Sequence, residues 1–358
     1  MDAYLELIKK YKTPLSRGKM SSKQYLQELY NDYINDLKLA TNPKKNVLYG
    51  KIFCDKMYEN IGTVKMLCDN IILMLELYER GKQNKAAVLS INLFDKIKSF
   101  LMIQYTGAWR KESFYRIRAY SNDNPFSLCR RELFHIPLSK KEYCKTEHYS
   151  VPGYPCLYLA TQPELCWYEC KKPSKFAISK FQVPQKIGDT MHLVDFFEKM
   201  IPLAHSFFCW RCNEKEKTNI ENVENYLAKC LVTYPLRAAC SLIASYDSDV
   251  AFKEEYIIPQ LLLQWINSDT TFDGVKYETV SEYDATYCYG GSNVVFVSKE
   301  FDHDGYARNL RNRIKVASPL LIDVDNLILP DWMSTGKTKE ECIFGWGMES
   351  GSEDYDYI

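Results

Sequence analysis

Residues 148–170 read HYSVPGYPCLYLATQPELCWYEC. Pro152, Gly153 and Pro155 mark a tight bend. The run CLYLA is a short strand rich in apolar residues. Thr161 followed by Glu164 has the spacing of a capping box, and Pro163 is tolerated in a first helical turn. The stretch therefore predicts bend, strand and helix in immediate succession. Leu165 and Cys166 lie four and three residues before Glu169 and share its helical face. On that reading Glu169 points inward. An inward carboxylate with apolar neighbours is costly unless it is paired, so it needs a partner or a task.

Working outward, the chain changes character on either side of this stretch. Residues 1 to about 105 carry helical periodicity. In SSKQYLQELYNDYINDLKLA, Tyr25, Leu26, Leu29, Tyr30, Tyr33, Ile34 and Leu37 recur on one face, with Ser21 or Ser22 as the cap. NIILMLELYERG predicts a second helix that stops at Gly81, and KAAVLSINLFDKIKSFLMIQY a third. From FYRIRAY onward short strands appear: FYRIRAY, CLYLA, KFAISKFQV, TMHLVDF, GVKYETV, SNVVFVS and PLLIDVD. Between the fourth and fifth, the segments TNIENVENYLAKCLVTY, PLRAACSLIAS and EEYIIPQLLLQWINS predict three helices. Strands and helices without a regular alternating beat predict an α+β fold, and no internal repeat is evident. The expected division is a helical module over 1–108, a mixed-sheet domain over 109–330, and a C-terminal extension over 331–358 with an acidic, mobile tail.

The composition narrows the function. The 358 residues carry 46 basic and 46 acidic side chains, and 46% of the residues are hydrophobic. That fits a folded protein rather than a disordered one. Zero net charge argues against a dedicated nucleic-acid binder or membrane-surface binder. No apolar run reaches a membrane span, and the start MDAYLELIKKYK is a poor signal peptide, so a cytoplasmic location is expected. Thirteen cysteines are scattered, and Cys68, Cys156, Cys230 and Cys240 sit in apolar surroundings. They read as reduced core residues rather than as a disulfide framework.

In order along the chain, FYRIRAY, the bend-and-strand HYSVPGYPCLYLA, and ELCWYEC resemble the RES domain family. There Glu169 stands eleven residues beyond Tyr158. YPLRAACSL, EYIIPQLLLQW, GVKYETV and SNVVFV follow the same order, so the resemblance covers roughly residues 112–325. It implies an ADP-ribosyltransferase-like mixed sheet with helices and a site that consumes NAD as substrate. Several members of that family are toxins held by an antitoxin; some break NAD down and some ADP-ribosylate a protein.

Carried onto this chain, the resemblance gives Glu169 the task of stabilising positive charge on the ribose as the nicotinamide–ribose bond breaks, and of holding a ribose hydroxyl. Arg116 takes the pyrophosphate, with Arg118 as the neighbour to be told from it. Tyr158 packs on the nicotinamide ring. At the family's serine position stands Thr279, which keeps the hydroxyl but adds a methyl. Ser281, two residues on, is the second candidate. His148 stands where the family has an arginine. Tyr149 and Asn293 complete the expected pocket. The departures leave an alternative of a different class, an interaction or regulatory protein with an inert RES-like pocket. Beyond NAD, a cognate antitoxin and self-association through the helical module are the expected partnerships.

Other motifs are weaker. His205, Cys209 and Cys212 in HSFFCWRC lack an evident fourth zinc ligand, and no metal is expected. In STGKTKEE the P-loop glycine position is held by Asp331. FGWGMESG has no following helix or ribose-binding acid. Cys144 with His148 has nothing to orient the histidine as a base.

Overall fold

The structure is a computed structural model and describes residues 2–46, 50–102, 113–121, 127, 129–188, 190–197, 217–243, 252–280, 291–326 and 355–358. The chain is α+β, and its described residues form two compact units. One comprises residues 1–106, 147–149 and 194–268, the other 107–146, 150–193 and 269–358. The described residues of 194–268 group with the N-terminal helices, so the units are not the linear division expected from the sequence. The cause is the apolar character of those later helices, which need other helices to cover them.

The first unit holds α1 (Ala3–Lys10), α2 (Ser22–Ala40), α3 (Lys51–Glu59), α4 (Ile61–Glu79) and α5 (Gln83–Leu101). Two further helices of this unit lie beyond residue 216. Ser21 caps α2 as predicted: its hydroxyl accepts from Gln24 N, and Gln24 returns a bond to Ser21 N. The face that α2 buries includes Leu26, Tyr30, Tyr33 and Leu37. Past α4, Gly81 has φ +69 and its N–H bonds Tyr78 O, the left-handed stop that glycine adopts without strain.

One helix, Lys217–Ala239, stands where a break at Pro235 was predicted. Proline has no N–H, so the carbonyl four residues earlier loses its helical partner. Tyr33 supplies the missing donor, its hydroxyl bonding Leu231 O at 2.6 Å. Tyr30 Oη adds a second anchor beside it, donating to Pro235 O at 2.7 Å. Tertiary hydrogen bonds from α2 thus let the helix run through its proline. The last helix of the unit, Ile257–Ser268, packs against α4 and α5, and Trp265 Nε1 donates to Asp95 at 2.8 Å.

The second unit is built on β1 (Phe114–Ala119), β2 (Cys156–Ala160), β3 (Lys175–Gln182), the first residue of β4 (Leu193–Asp195), β5 (Gly274–Tyr277), β6 (Asn293–Val297), β7 (Lys315–Ala317), β8 (Leu320–Asp323) and β9 (Tyr355–Asp356). The sheet order is β4-β5-β6-β2-β1-β3-β7-β9, with β8 also paired to β3. The seven strands read from the sequence are all present. β7 and β9 were not read. β9 corrects the expectation for the end of the tail: Ala317 pairs with Tyr355, and Ile358 O accepts from Arg311 Nε at 2.8 Å. Residues 331–354, with GKT and FGWG, lie outside the described residues, as do His205, Cys209 and Cys212.

One face of the sheet carries Phe114, Leu157, Leu159, Ala177, Phe181, Val294 and Phe296 in a single core. The other face carries Ile117, Ala160, Phe176 and Ile178 under the helix Pro163–Glu169. Among the described residues the cysteines form no disulfide, and Cys68, Cys156, Cys230 and Cys240 are buried as expected.

Candidate active site

The bend before β2 forms as predicted. Tyr154 N bonds Val151 O at 2.9 Å, and Gly153, at φ +70, takes the left-handed turn position. β2 then pairs with β6 along its whole length, with Ala160 opposite Asn293. The expected capping box does not form. Gln162 is the N-cap and makes no side-chain cap bond. Thr161 is used elsewhere: its Oγ1 accepts from Ser292 N at 2.8 Å, and its N–H donates to Ser292 O at 2.9 Å. This double link ties the end of β2 to the start of β6 and delivers the helix beside Asn293.

Helix residues Leu165, Cys166 and Trp167 are buried on the sheet. Glu169, the last helical residue, is exposed, which corrects the expected inward burial. Its carboxylate is nonetheless held. Thr279 Oγ1 donates to Glu169 Oε1 at 2.6 Å, and Asn293 Nδ2 donates to the same oxygen at 2.9 Å. The three come from the helix end, the segment after β5, and the first residue of β6. Tyr277 lies opposite Asn293 in the β5–β6 register, and Thr279 follows two residues beyond the strand end.

The sheet itself divides nearby. β1 pairs with β3 at all six of its residues but with β2 only at Tyr115 opposite Ala160. Beyond that point β1 and β2 are not paired. The helix takes up the slack: Cys166 Sγ lies 3.0 Å from Tyr115 O, and Cys170 Sγ lies 3.8 Å from Ile117 O. Burial pushes the Cys166 thiol well above its usual range, which leaves it an inert thiol.

Arg116 sits on the stretch of β1 without a β2 partner. Its Nη1 is buried and, among the described residues, has no hydrogen-bond partner. Burial lowers its pKa, while Cys170, Tyr158 and Cys166 act the other way and Arg118 adds to the lowering. Arg118 is different. It is exposed and its Nη1 donates to the Glu132 carboxylate and, at 3.3 Å, to Glu132 O. The two arginines that sequence could not separate are thus distinguished by partner: one is committed to Glu132, the other has an open donor. Tyr158, half-buried on β2, shares the sheet face of Ala160 and Asn293.

His148 and Tyr149, expected in the pocket, belong to the helical unit. His148 Nε2 lies 2.9 Å from Cys240 O, and its ring meets Tyr149 and Tyr256 edge-on. Burial drops the His148 pKa to about 4, so the ring is neutral at pH 7 and gives no cationic replacement for an arginine. Ser281 lies outside the described residues. Within the second unit, then, Glu169, Thr279 and Asn293 are hydrogen-bonded together, with Tyr158 on the same sheet face. Among the described residues no cluster has the makings of a metal site, and no helix is long and apolar enough to cross a membrane.

Comparison with known proteins gives one orientation. No family model matches the chain, and no solved structure matches it. A Bacillus subtilis (strain 168) protein named "Putative toxin YopC" is 28% identical to it over 270 residues, which cover 73% of this chain and 56% of that protein. The chain therefore spans about half the length of the curated relative it matches.

Proposed function

We propose that the sheet-bearing unit is a toxin-like, NAD-consuming domain. It cleaves the nicotinamide–ribose bond and passes ADP-ribose to water, phosphate or a protein. The observation that carries this reading is the Glu169 carboxylate, held at one oxygen by Thr279 and Asn293. Cleaving the nicotinamide bond builds positive charge at the ribose anomeric carbon, and a carboxylate fixed beforehand stabilises that charge without reorganising. The open donor of Arg116 suits a pyrophosphate oxygen, since an unpaired buried cation is stabilised by an anionic ligand. Tyr158 suits the cationic nicotinamide ring before cleavage. Similarity to a protein named as a toxin supports the same direction and makes a cognate antitoxin the partner to look for.

One observation favours the second reading, an inert pocket in an interaction protein. Glu169 is exposed, and water weakens the field of an exposed carboxylate. A single assay separates the two. Purified protein is incubated with NAD, with and without phosphate, and free nicotinamide is followed by chromatography. Release that Glu169→Ala abolishes supports glycohydrolase or phosphorylase chemistry. If there is none, labelled NAD with cell lysate is the next arm: a modified band absent with Glu169→Ala supports ADP-ribosylation, and no band leaves the inert reading standing.

A further inference from the structure

The two hydrogen bonds on Glu169 end on the same oxygen. Oε1 receives the Thr279 hydroxyl and the Asn293 amide, which occupy its two lone-pair directions. Among the described residues Oε2 accepts no hydrogen bond. The Asn293 amide is likewise fixed in sense, because only its N–H₂ end can donate to a carboxylate. Its own Oδ1 then accepts nothing among the described residues. Asn293 is also the member of the trio fixed by the sheet, opposite both Ala160 and Tyr277. Among the described residues, two acceptors without donors therefore belong to one hydrogen-bonded pair of side chains, one charged and one neutral.

Resting on the reading proposed above, we infer that Asn293 divides the work of the carboxylate: it occupies Oε1 so that Oε2 meets the ligand, and it presents Oδ1 to a second, adjacent hydroxyl. The ligand class that satisfies both acceptors is a vicinal diol, as in a ribose bearing free 2′ and 3′ hydroxyls. Asn293 is thus a positioning residue toward Glu169 and a specificity residue toward the sugar. A carboxylate in its place could accept from the diol but could not donate to Oε1, and it would bring a second negative charge against the first.

The test uses the full chain and three probes: ADP-ribose and its 2′-deoxy and 3′-deoxy analogues, measured by calorimetric titration. Wild-type protein is expected to bind ADP-ribose at least about tenfold more tightly than one deoxy analogue, because a site built to bond a hydroxyl leaves an acceptor unpaired without it. Asn293→Asp and Asn293→Ala are expected to lose that preference. A second readout is the carbon NMR signal of the Glu169 carboxylate at fixed pH, which is expected to move in Asn293→Ala because the Asn293 amide no longer donates to Oε1. A purely structural residue would lower the melting temperature without moving either readout, and that outcome overturns the inference. Wild-type protein that binds no riboside overturns the reading of the site and the diol with it. Riboside binding with unchanged preference in Asn293→Asp overturns only the role given to Asn293.

Discussion

Thr279 and Glu169 are 110 residues apart in sequence, and the hydroxyl of one donates to the carboxylate of the other at 2.6 Å. The bond makes the threonine's oxygen, not its methyl, the part that matters. Thr279→Val keeps the shape and removes the donor. Nicotinamide release is expected to fall about 100- to 1,000-fold, the range lost with one donor at a charge-stabilising site. Thr279→Ser should stay within a few-fold of wild type. Equal activity in the valine variant would remove Thr279 from the site.

Arg116 predicts a trade between stability and binding. A guanidinium with a buried, unpartnered Nη1 costs the fold more than an apolar chain of similar length. Arg116→Met is therefore expected to melt no lower than wild type, and up to about 1 kcal/mol more stable, a rise of roughly 2–4 °C. Its NAD affinity should drop at least about tenfold, because the anion loses its charged partner. Arg118→Met, which breaks an exposed ion pair with Glu132, should change both quantities little. A melting temperature several degrees lower for Arg116→Met would show that the arginine is structural.

These contrasts mark where sequence reading reached and where it stopped. β1, β2, β3 and β6 were legible because apolar side chains and turn residues bracket them, and the Pro152–Gly153 bend because glycine suits the left-handed turn position. Thr161 was misread because its side chain has two local uses. Capping and cross-strand bonding look alike in sequence, and only the nearness of Ser292 decides between them. That choice moved Glu169 from the interior to the surface. β9 was hidden by its polar composition, and the return of residues 147–149 to the helical unit has no local signature at all. The Tyr33 bond that rescues Pro235 is the same kind of long-range fact. The signal that could have raised Asn293 was its place as the first residue of an apolar run, where an amide is out of keeping.

Stability should fall on acidification through two buried histidines, one in each unit. His135 accepts from Ala307 N at Nε2, 2.9 Å away, and its Nδ1 lies 2.8 Å from Ile136 O, so Nδ1 carries the proton. A second proton would have to enter at Nε2, against an N–H donor. Burial, aided by the charge of Arg116, brings its pKa to about 4, as burial does for His148. The unfolded chain binds these protons near pH 6.5, the folded chain only near pH 4. Below 6.5 the unfolded state therefore holds more protons, and stability declines as pH falls toward 4, by up to about 1.4 kcal/mol per pH unit for each histidine. Above 6.5 neither contributes a slope. Urea unfolding at pH 7, 6 and 5 checks this: His135→Gln and His148→Gln should each flatten the decline, and an unchanged slope in both would refute it.

The helix that runs through Pro235 makes the most demanding prediction, because it concerns a coupling rather than a single loss. Tyr33→Phe preserves the ring packing against Tyr11 and Tyr234 and removes only the hydroxyl that serves Leu231 O. That carbonyl then has neither a helical nor a tertiary donor, which costs about 1–3 kcal/mol. Pro235→Ala restores an N–H four residues after Leu231, so the carbonyl regains its helical partner whether or not Tyr33 is present. In that background the penalty of Tyr33→Phe is expected to shrink to about 1 kcal/mol or less. A double-mutant cycle by denaturant unfolding measures the difference. Strict additivity of the two substitutions would mean that Tyr33 does not replace the missing N–H, and that the helix tolerates its proline by some other means.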